Sequence, residues 1–400
     1  MHTESAEPLM RAKPRIALVA NTDWYLFNFR RDLARELRDR CGAEVLCISP
    51  EGQYRPRLQA EGFQWAPLRL SRQGVNPFKD IMTVQDLTRL YRQFKPDLVH
   101  HFTLKPVLYG SIAAARAGVP RVVNALAGLG TVFSGTTLKG RLLNFPVSLA
   151  LKRLLGRQGS LCILQNSVDA SLIENFFPGR TDLVHLIRGS GVDAAKFHPQ
   201  KNDQEAPYVV LFVGRLLKDK GVMDFCKAAA LVHARAPRLE FWIVGSIDLG
   251  NPASHSEAEL AALGQGAPYL RFLGHQESMV EMYQKALVLV LPTCYGEGVP
   301  RSLVEGAACG LPLIATDHPG CREIVIPDAN GFLVPQRDPE TIAARILALA
   351  EDPHRQQSLG RESRRIALEG FSFEQVFCRT LQVYSKLGMS FNPLEHGGSA

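Results

Sequence analysis

Residues 291–316 read LPTCYGEGVPRSLVEGAACGLPLIAT, and the fold is decided here. An aliphatic run, Leu287 to Leu291, enters a glycine-rich loop, Pro300 suits the first position of a helix, and a second aliphatic run, Leu313 to Ala315, follows. Aliphatic runs of this kind, joined through a helix, belong to a parallel sheet buried on both faces. The same alternation extends through the chain. In the first half the runs are Ile16 to Ala20, Glu44 to Ile48, Leu98 to His100, Arg121 to Asn124 and Leu161 to Gln165; in the second they include Val209 to Val213, Glu240 to Val244 and Leu270 to Leu273. Between them, stretches such as RRDLARELRDR and KDIMTVQDLTRLYRQF have the spacing of amphipathic helices. The expectation is an α/β protein of two doubly wound, Rossmann-like domains, residues 1–200 and 201–400, with Lys201 to Pro207 as linker. The last helix is free to cross back to the first domain. Ligands of open parallel sheets sit beyond the carboxyl ends of the strands, so the loops there carry the chemistry and the cleft between domains is the expected site.

Composition narrows the class. The 400 residues suit two domains, and 46% apolar with 21% charged residues is the balance of a folded protein. The start, MHTESAEPLMRAKPR, lacks the long apolar core of a secretory signal, and the apolar stretch Leu142 to Leu155 is broken by Asn144, Pro146, Lys152 and Arg153, so a cytoplasmic protein is expected. Eight scattered cysteines form no C-x-x-C pair and no zinc pattern, and Cys162, in an apolar run, reads as a core residue. Residues 1–205 carry 28 Lys and Arg against 18 Asp and Glu, a net of +10; residues 206–400 carry 18 against 21, a net of −3. The basic half suggests an anionic partner, a membrane surface or phosphorylated lipid, although a solvated basic face would give the same imbalance. No nucleic-acid recognition motif accompanies it, and no nucleic-acid partner is expected.

Two motifs carry chemistry. In LFVGRLLKDKG, residues 211–221, Gly214 permits a sharp turn after the strand, and Arg215 and Lys220 lie in a loop that opens a helix near Gly221. An Arg fork, a Lys point charge and free helix N–H groups together suit a diphosphate. In residues 291–316, Glu297 stays in the loop while Glu305 falls in the helix, so the first can reach sugar hydroxyls and the second a ribose. A lone Glu305 could equally serve only the helix dipole.

The E-x7-E pair Glu297 and Glu305, preceded by the R-x4-K pair Arg215 and Lys220 and followed by HPGCREIV and NGFLVP, resembles the retaining glycosyltransferase family 4 of the GT-B fold. The strings KPDLVHHFTLKPVLYGS, NALAGLGTVFSG and HLIRGSGVDAAKFHP resemble bacterial members that build polyprenyl-diphosphate-linked oligosaccharides. The resemblance implies Arg215 and Lys220 on the donor diphosphate, Glu297 near the donor sugar, Glu305 on the ribose, and the amides of Gly298 and Val299 facing sugar or phosphate. It further implies a donor-lining histidine after the fourth strand, His101, with His100 as the fallback. One departure stands out: Asn21-Thr22-Asp23-Trp24 occupies the loop where many relatives carry Gly-Gly. Gly128 and Gly130, after a different strand, offer the nearest substitute and are assigned with Lys105 to the acceptor side.

The expected activity is that of a glycosyltransferase moving a hexose or N-acetylhexosamine from a nucleotide diphosphate sugar, UDP by family weight, to a polyprenyl-diphosphate-linked glycan. No D-x-D is present, so no metal and no other cofactor is expected, and cations take the leaving-group charge. TTLKGRLLNFPVSLALKRLLGR, with Lys139, Arg141, Lys152, Arg153 and Arg157 among leucines, reads as an interfacial helix against an anionic membrane or as a packed helix with a basic edge; WYLFNFRR, Trp24 to Arg31, could touch lipid or pack in the core. Rival readings are a nucleotide-sugar epimerase of the same architecture and a non-catalytic sugar- or lipid-binding scaffold. An oxidoreductase is disfavoured because Gly189-Ser190-Gly191 leads to His198-Pro199 and not into a helix.

Overall fold

The structure, a computed structural model, describes residues 13–71, 76–129, 149–200, 208–248 and 251–391. Seven strands, β1 (Arg15–Val19), β2 (Glu44–Ser49), β3 (Gln64–Pro67), β4 (Leu98–Phe102), β5 (Arg121–Leu126), β6 (Ser160–Leu164) and β7 (Val184–Leu186), pair in the order β3-β2-β1-β4-β5-β6-β7. Six more, β8 (Val209–Val213), β9 (Glu240–Val244), β10 (Leu270–Gly274), β11 (Ala286–Leu291), β12 (Leu313–Thr316) and β13 (Gly331–Val334), pair in the order β10-β9-β8-β11-β12-β13. Every pairing is parallel. Both sheets are doubly wound, and each reverses direction between its first and fourth strands.

Burial follows from period-2 geometry. Ile16 and Leu18 of β1 enter one apolar cluster and Ala17 and Val19 another, so helices cover both faces of the first sheet. All ten aliphatic runs are strands. The three additional ones have weak signals: β3, at a sheet edge, has exposed ends around two half-buried residues and closes on Pro67, β7 has three residues, and β13 opens with a glycine. Cys162 is fully buried in the core.

The linker Lys201 to Pro207 lies outside the described residues, but the chain's return passage does not. Val192 N–H donates to Phe371 O (2.9 Å) and Phe373 N–H donates to Val192 O (2.9 Å), laying the two passages side by side. Gly191, at φ +84°, allows this approach, since a Cβ there would meet Phe373 Cα at 2.7 Å. The helix Phe373–Lys386 then packs on the first domain. Val376, Phe377, Val383 and Tyr384 join its core, Arg40 pairs with Glu374 (2.8 Å), and the Tyr384 hydroxyl lies 2.8 Å from His100 Nδ1.

Lys139 and Arg141 of the basic stretch lie outside the described residues. In the part that is described, Leu151 and Leu155 are buried while Lys152 and Arg153 are exposed, the arrangement of a packed helix with a solvated basic edge. Among the described residues, no helix is long and apolar enough to cross a membrane.

Equilibrium urea unfolding should show Tyr384→Ala costing about 3–5 kcal/mol through the lost ring, and Tyr384→Phe about 1 kcal/mol through the lost hydroxyl contact. Equal losses would mean that the bond to His100, not packing, anchors the helix.

Candidate active site

β8 and β11 are neighbours at the reversal point of the second sheet, so the loops leaving their carboxyl ends are forced together. From β8 the chain turns at Gly214 and makes one 3₁₀ turn, Lys218–Lys220. Gly221, at φ +80°, then starts the helix Val222–His233, where a Cβ would strike the Pro292 carbonyl. Cys294 N–H donates to Asp219 O (2.7 Å), tying the β11 loop to that turn. The outcome is an ion pair: Lys220, only 7% exposed, donates from Nζ to Glu297 Oε1. Arg215 donates to Asp248 Oδ2 (2.8 Å), in the loop after β9, and both cations lie over the Tyr295 ring at 5.7 and 5.4 Å. Arg215, Lys220, Glu297 and Gly214 are thus brought together.

Glu305 is buried one turn into the helix Arg301–Ala308. Its carboxylate accepts from the Tyr283 hydroxyl (3.0 Å) and from Arg301 Nε (2.7 Å). Arg301 also donates to the Asn28 carbonyl and stacks over Phe29 of the first domain, so it spans both domains. Pro300 precedes the helix by one residue.

The first domain faces this loop with backbone. Gly128, at φ +75° beyond β5, lies so close that a Cβ would meet Glu297 Cα at 2.7 Å; Gly298 lies against Gln165, beyond β6, where a Cβ would meet Gln165 Cβ at 2.8 Å. Gly128 is therefore placed against the glutamate loop. Val299 is buried, with its side chain 3.9 Å from where a Cβ on Gly189 would stand. Gly130 lies outside the described residues. Deeper in the interface, Glu323 accepts from Ser167 N–H (2.7 Å) and Arg188 Nε (2.5 Å). Burial drives its pKa upward, but these donors outweigh it and hold the carboxyl below its usual range.

One expectation needs correction. His101 does not line the cleft. Its ring is fully buried, with Nε2 at 2.9 Å from the Tyr91 hydroxyl and Nδ1 at 2.9 Å from Asn124 Oδ1, and burial lowers its pKa to about 4. A Cβ on Gly110 would collide with this ring. The fallback, His100, is buried on the opposite face against Tyr384. Lys105 reaches the Ser71 carbonyl (2.7 Å), so its ammonium is engaged within the domain.

The loop that departs from Gly-Gly has a structural occupation. Thr22 Oγ1 accepts from Tyr25 N–H (3.0 Å), and the buried Asp23 carboxylate accepts from Trp24 (2.8 Å), Tyr54 (2.7 Å) and Arg55 (3.0 Å) N–H groups. The WYLFNFRR segment contains a π-helical turn, Leu26–Arg30, which buries Leu26 and Arg30 and leaves Trp24 40% exposed. Sequence reasoning missed Asp248, Tyr295, Gln165 and Arg301. Of these, only Arg301 carried a signal, its i,i+4 spacing to Glu305.

With this geometry in place, the comparisons define the class. The family described as Glycosyl transferases group 1 matches residues 193–366, and the family described as Glycosyl transferase 4-like matches residues 15–156. The Anabaena HepE structure in complex with UDP superposes with a TM-score of 0.74 at 18% identity, covering 93% of this chain and all of that one. The protein is a glycosyltransferase of GT-B architecture. It belongs to the group 1, family 4-like glycosyltransferases. A relative from Campylobacter jejuni, N,N'-diacetylbacillosaminyl-diphospho-undecaprenol alpha-1,3-N-acetylgalactosaminyltransferase, is 26% identical over 93% of this chain and 99% of its own length. A UDP-Gal:alpha-D-GlcNAc-diphosphoundecaprenol alpha-1,3-galactosyltransferase from Escherichia coli is 26% identical over 70% of this chain and 73% of its own length.

Gly128→Ala should strain a left-handed residue and push the backbone at Glu297. Glycosyl transfer should fall by roughly a hundredfold, the scale of a displacement of about 1 Å at a reacting centre, with the far-ultraviolet dichroism spectrum unchanged. Activity within twofold of wild type would show that this approach does not position Glu297.

Proposed function

We propose that the protein transfers a hexose or N-acetylhexosamine, with retention of configuration and without a metal ion, from UDP-sugar to a polyprenyl-diphosphate-linked glycan. The observation that carries this reading is the fixed pair of cations after β8: Lys220 buried against Glu297 and Arg215 held by Asp248, both over Tyr295. A diphosphate seated there meets two positive groups that need no rearrangement as its charge grows. Glu297 then orients the sugar, and Glu305, ordered by Tyr283 and Arg301, takes the ribose.

In the transfer step, the bond from the anomeric carbon to the phosphate oxygen breaks and its electron pair stays on the diphosphate. The acceptor hydroxyl oxygen bonds to the same face of that carbon, and its proton passes to the departing phosphate oxygen. The products are the glycoside and UDP, with no protein nucleophile. The acceptor class follows the names of the Campylobacter and Escherichia relatives, which both specify a diphosphoundecaprenol-linked sugar. The basic first half suits such an anionic acceptor on the inner face of a membrane.

A panel of nucleotide sugars with polyprenyl-diphosphate-linked acceptors, read by nucleotide release and product mass, tests the reaction. Release without a glycoside, or change in the nucleotide sugar alone, would reject it. Arg215→Ala and Lys220→Ala should each lower turnover by roughly a hundredfold, and near wild-type rates in both would remove the cations from the mechanism. Saturating chelator should leave the rate unchanged; loss restored by magnesium or manganese would refute metal independence.

A further inference from the structure

His318 belongs to none of the motifs' assigned roles. It leaves β12 in extended conformation, φ −134° and ψ 146°, as a residue before proline must, and the turn Pro319–Arg322 follows. That turn presses on the glutamate loop: a Cβ on Gly320 would stand 2.9 Å from the Glu297 carbonyl oxygen. The charged groups facing the imidazole come from both sides of the interface. Glu297 and Lys220 belong to its own domain's site, Asp169 to the helix Ser167–Glu174 of the first domain, and Arg322 to the following turn, where it bonds Asp317. The ring therefore lies within electrostatic reach of the Lys220–Glu297 pair and of the first domain.

Its two nitrogens are not equivalent. Nδ1 is buried and has no hydrogen-bond partner among the described residues, while the ring as a whole is half-buried, which leaves Nε2 as the open edge. Burial, reinforced by Arg322 and Lys220 and opposed by Glu297 and Asp169, keeps the ring's pKa below the usual histidine value, so it is neutral near pH 7. A sealed N–H without an acceptor costs more than a sealed lone pair, so the proton resides on Nε2. The ring thus offers one N–H donor at its open edge, within electrostatic reach of Glu297.

We infer that His318 donates from Nε2 to a hydroxyl oxygen of the transferred sugar and is a specificity-determining residue of the donor site. This inference rests on the UDP-sugar donor proposed for the same cleft. Calorimetric titration with UDP and with UDP-glucose, UDP-galactose, UDP-GlcNAc and UDP-GalNAc separates the two. For His318→Ala, UDP affinity should remain within about twofold, whereas affinity for the preferred UDP-sugar should fall about five- to thirtyfold, the scale of one lost hydrogen bond. His318→Gln, which keeps a donor, should recover part of that loss. Equal weakening of UDP and UDP-sugar would assign His318 a purely structural role and overturn the inference, as would unchanged affinity for all ligands in both variants. Wild-type protein that binds neither UDP nor any UDP-sugar would overturn the donor reading itself.

Discussion

The Lys220 ammonium is almost sealed from water, and a cation so placed persists only with a partner. Glu297 is that partner, and the surrounding backbone exists to bring the two together: Gly221 lies flat against Pro292, and Cys294 is bonded to Asp219. Removing either side chain strands the other in a poorly solvated place. The same logic recurs at Arg215 and Asp248. A site assembled this way has its positive charge matched by carboxylates and its side chains already ordered by one another.

The domain interface is built from two kinds of contact. Glycines at 128 and 298 let backbone meet backbone or a flat amide, where any Cβ would intrude. Charged bridges flank them. Arg301 divides its guanidinium between Glu305 of its own helix and the Asn28 carbonyl opposite, and Glu323 gathers donors from Ser167 and Arg188. The Arg301 bridge means that the residue ordering Glu305 also senses the position of the first domain.

Much of this architecture was legible in the sequence because aliphatic runs and loop motifs are local. The runs set a parallel sheet, and R-x4-K with E-x7-E follows β8 and β11, the two strands that topology makes adjacent. Contacts set by tertiary packing were not legible. β4 continues to Phe102, so His101 stops one residue short of the strand's end, and on a central strand covered on both faces alternating residues are all buried. Lys105 likewise gave no sign that Ser71 would face it. Asp248 and Gln165 come from loops whose spacing encodes nothing, and only the folded sheet order brings them to the site. His318 stood inside a recognisable string, but its orientation depends on how closely the turn after it packs on Gly298.

The paired passages at Val192 and Phe373 have a mechanical consequence. Two lengths of polypeptide cross from one half to the other at one place and are bonded to each other there, while the C-terminal helix is riveted to the first half by Tyr384 and Glu374. A protein joined by a single cord could swing in any direction; this one is strapped along a seam. Any rotation that parted Gly128 from Glu297 would be confined to an axis along that seam, like the cover of a bound book.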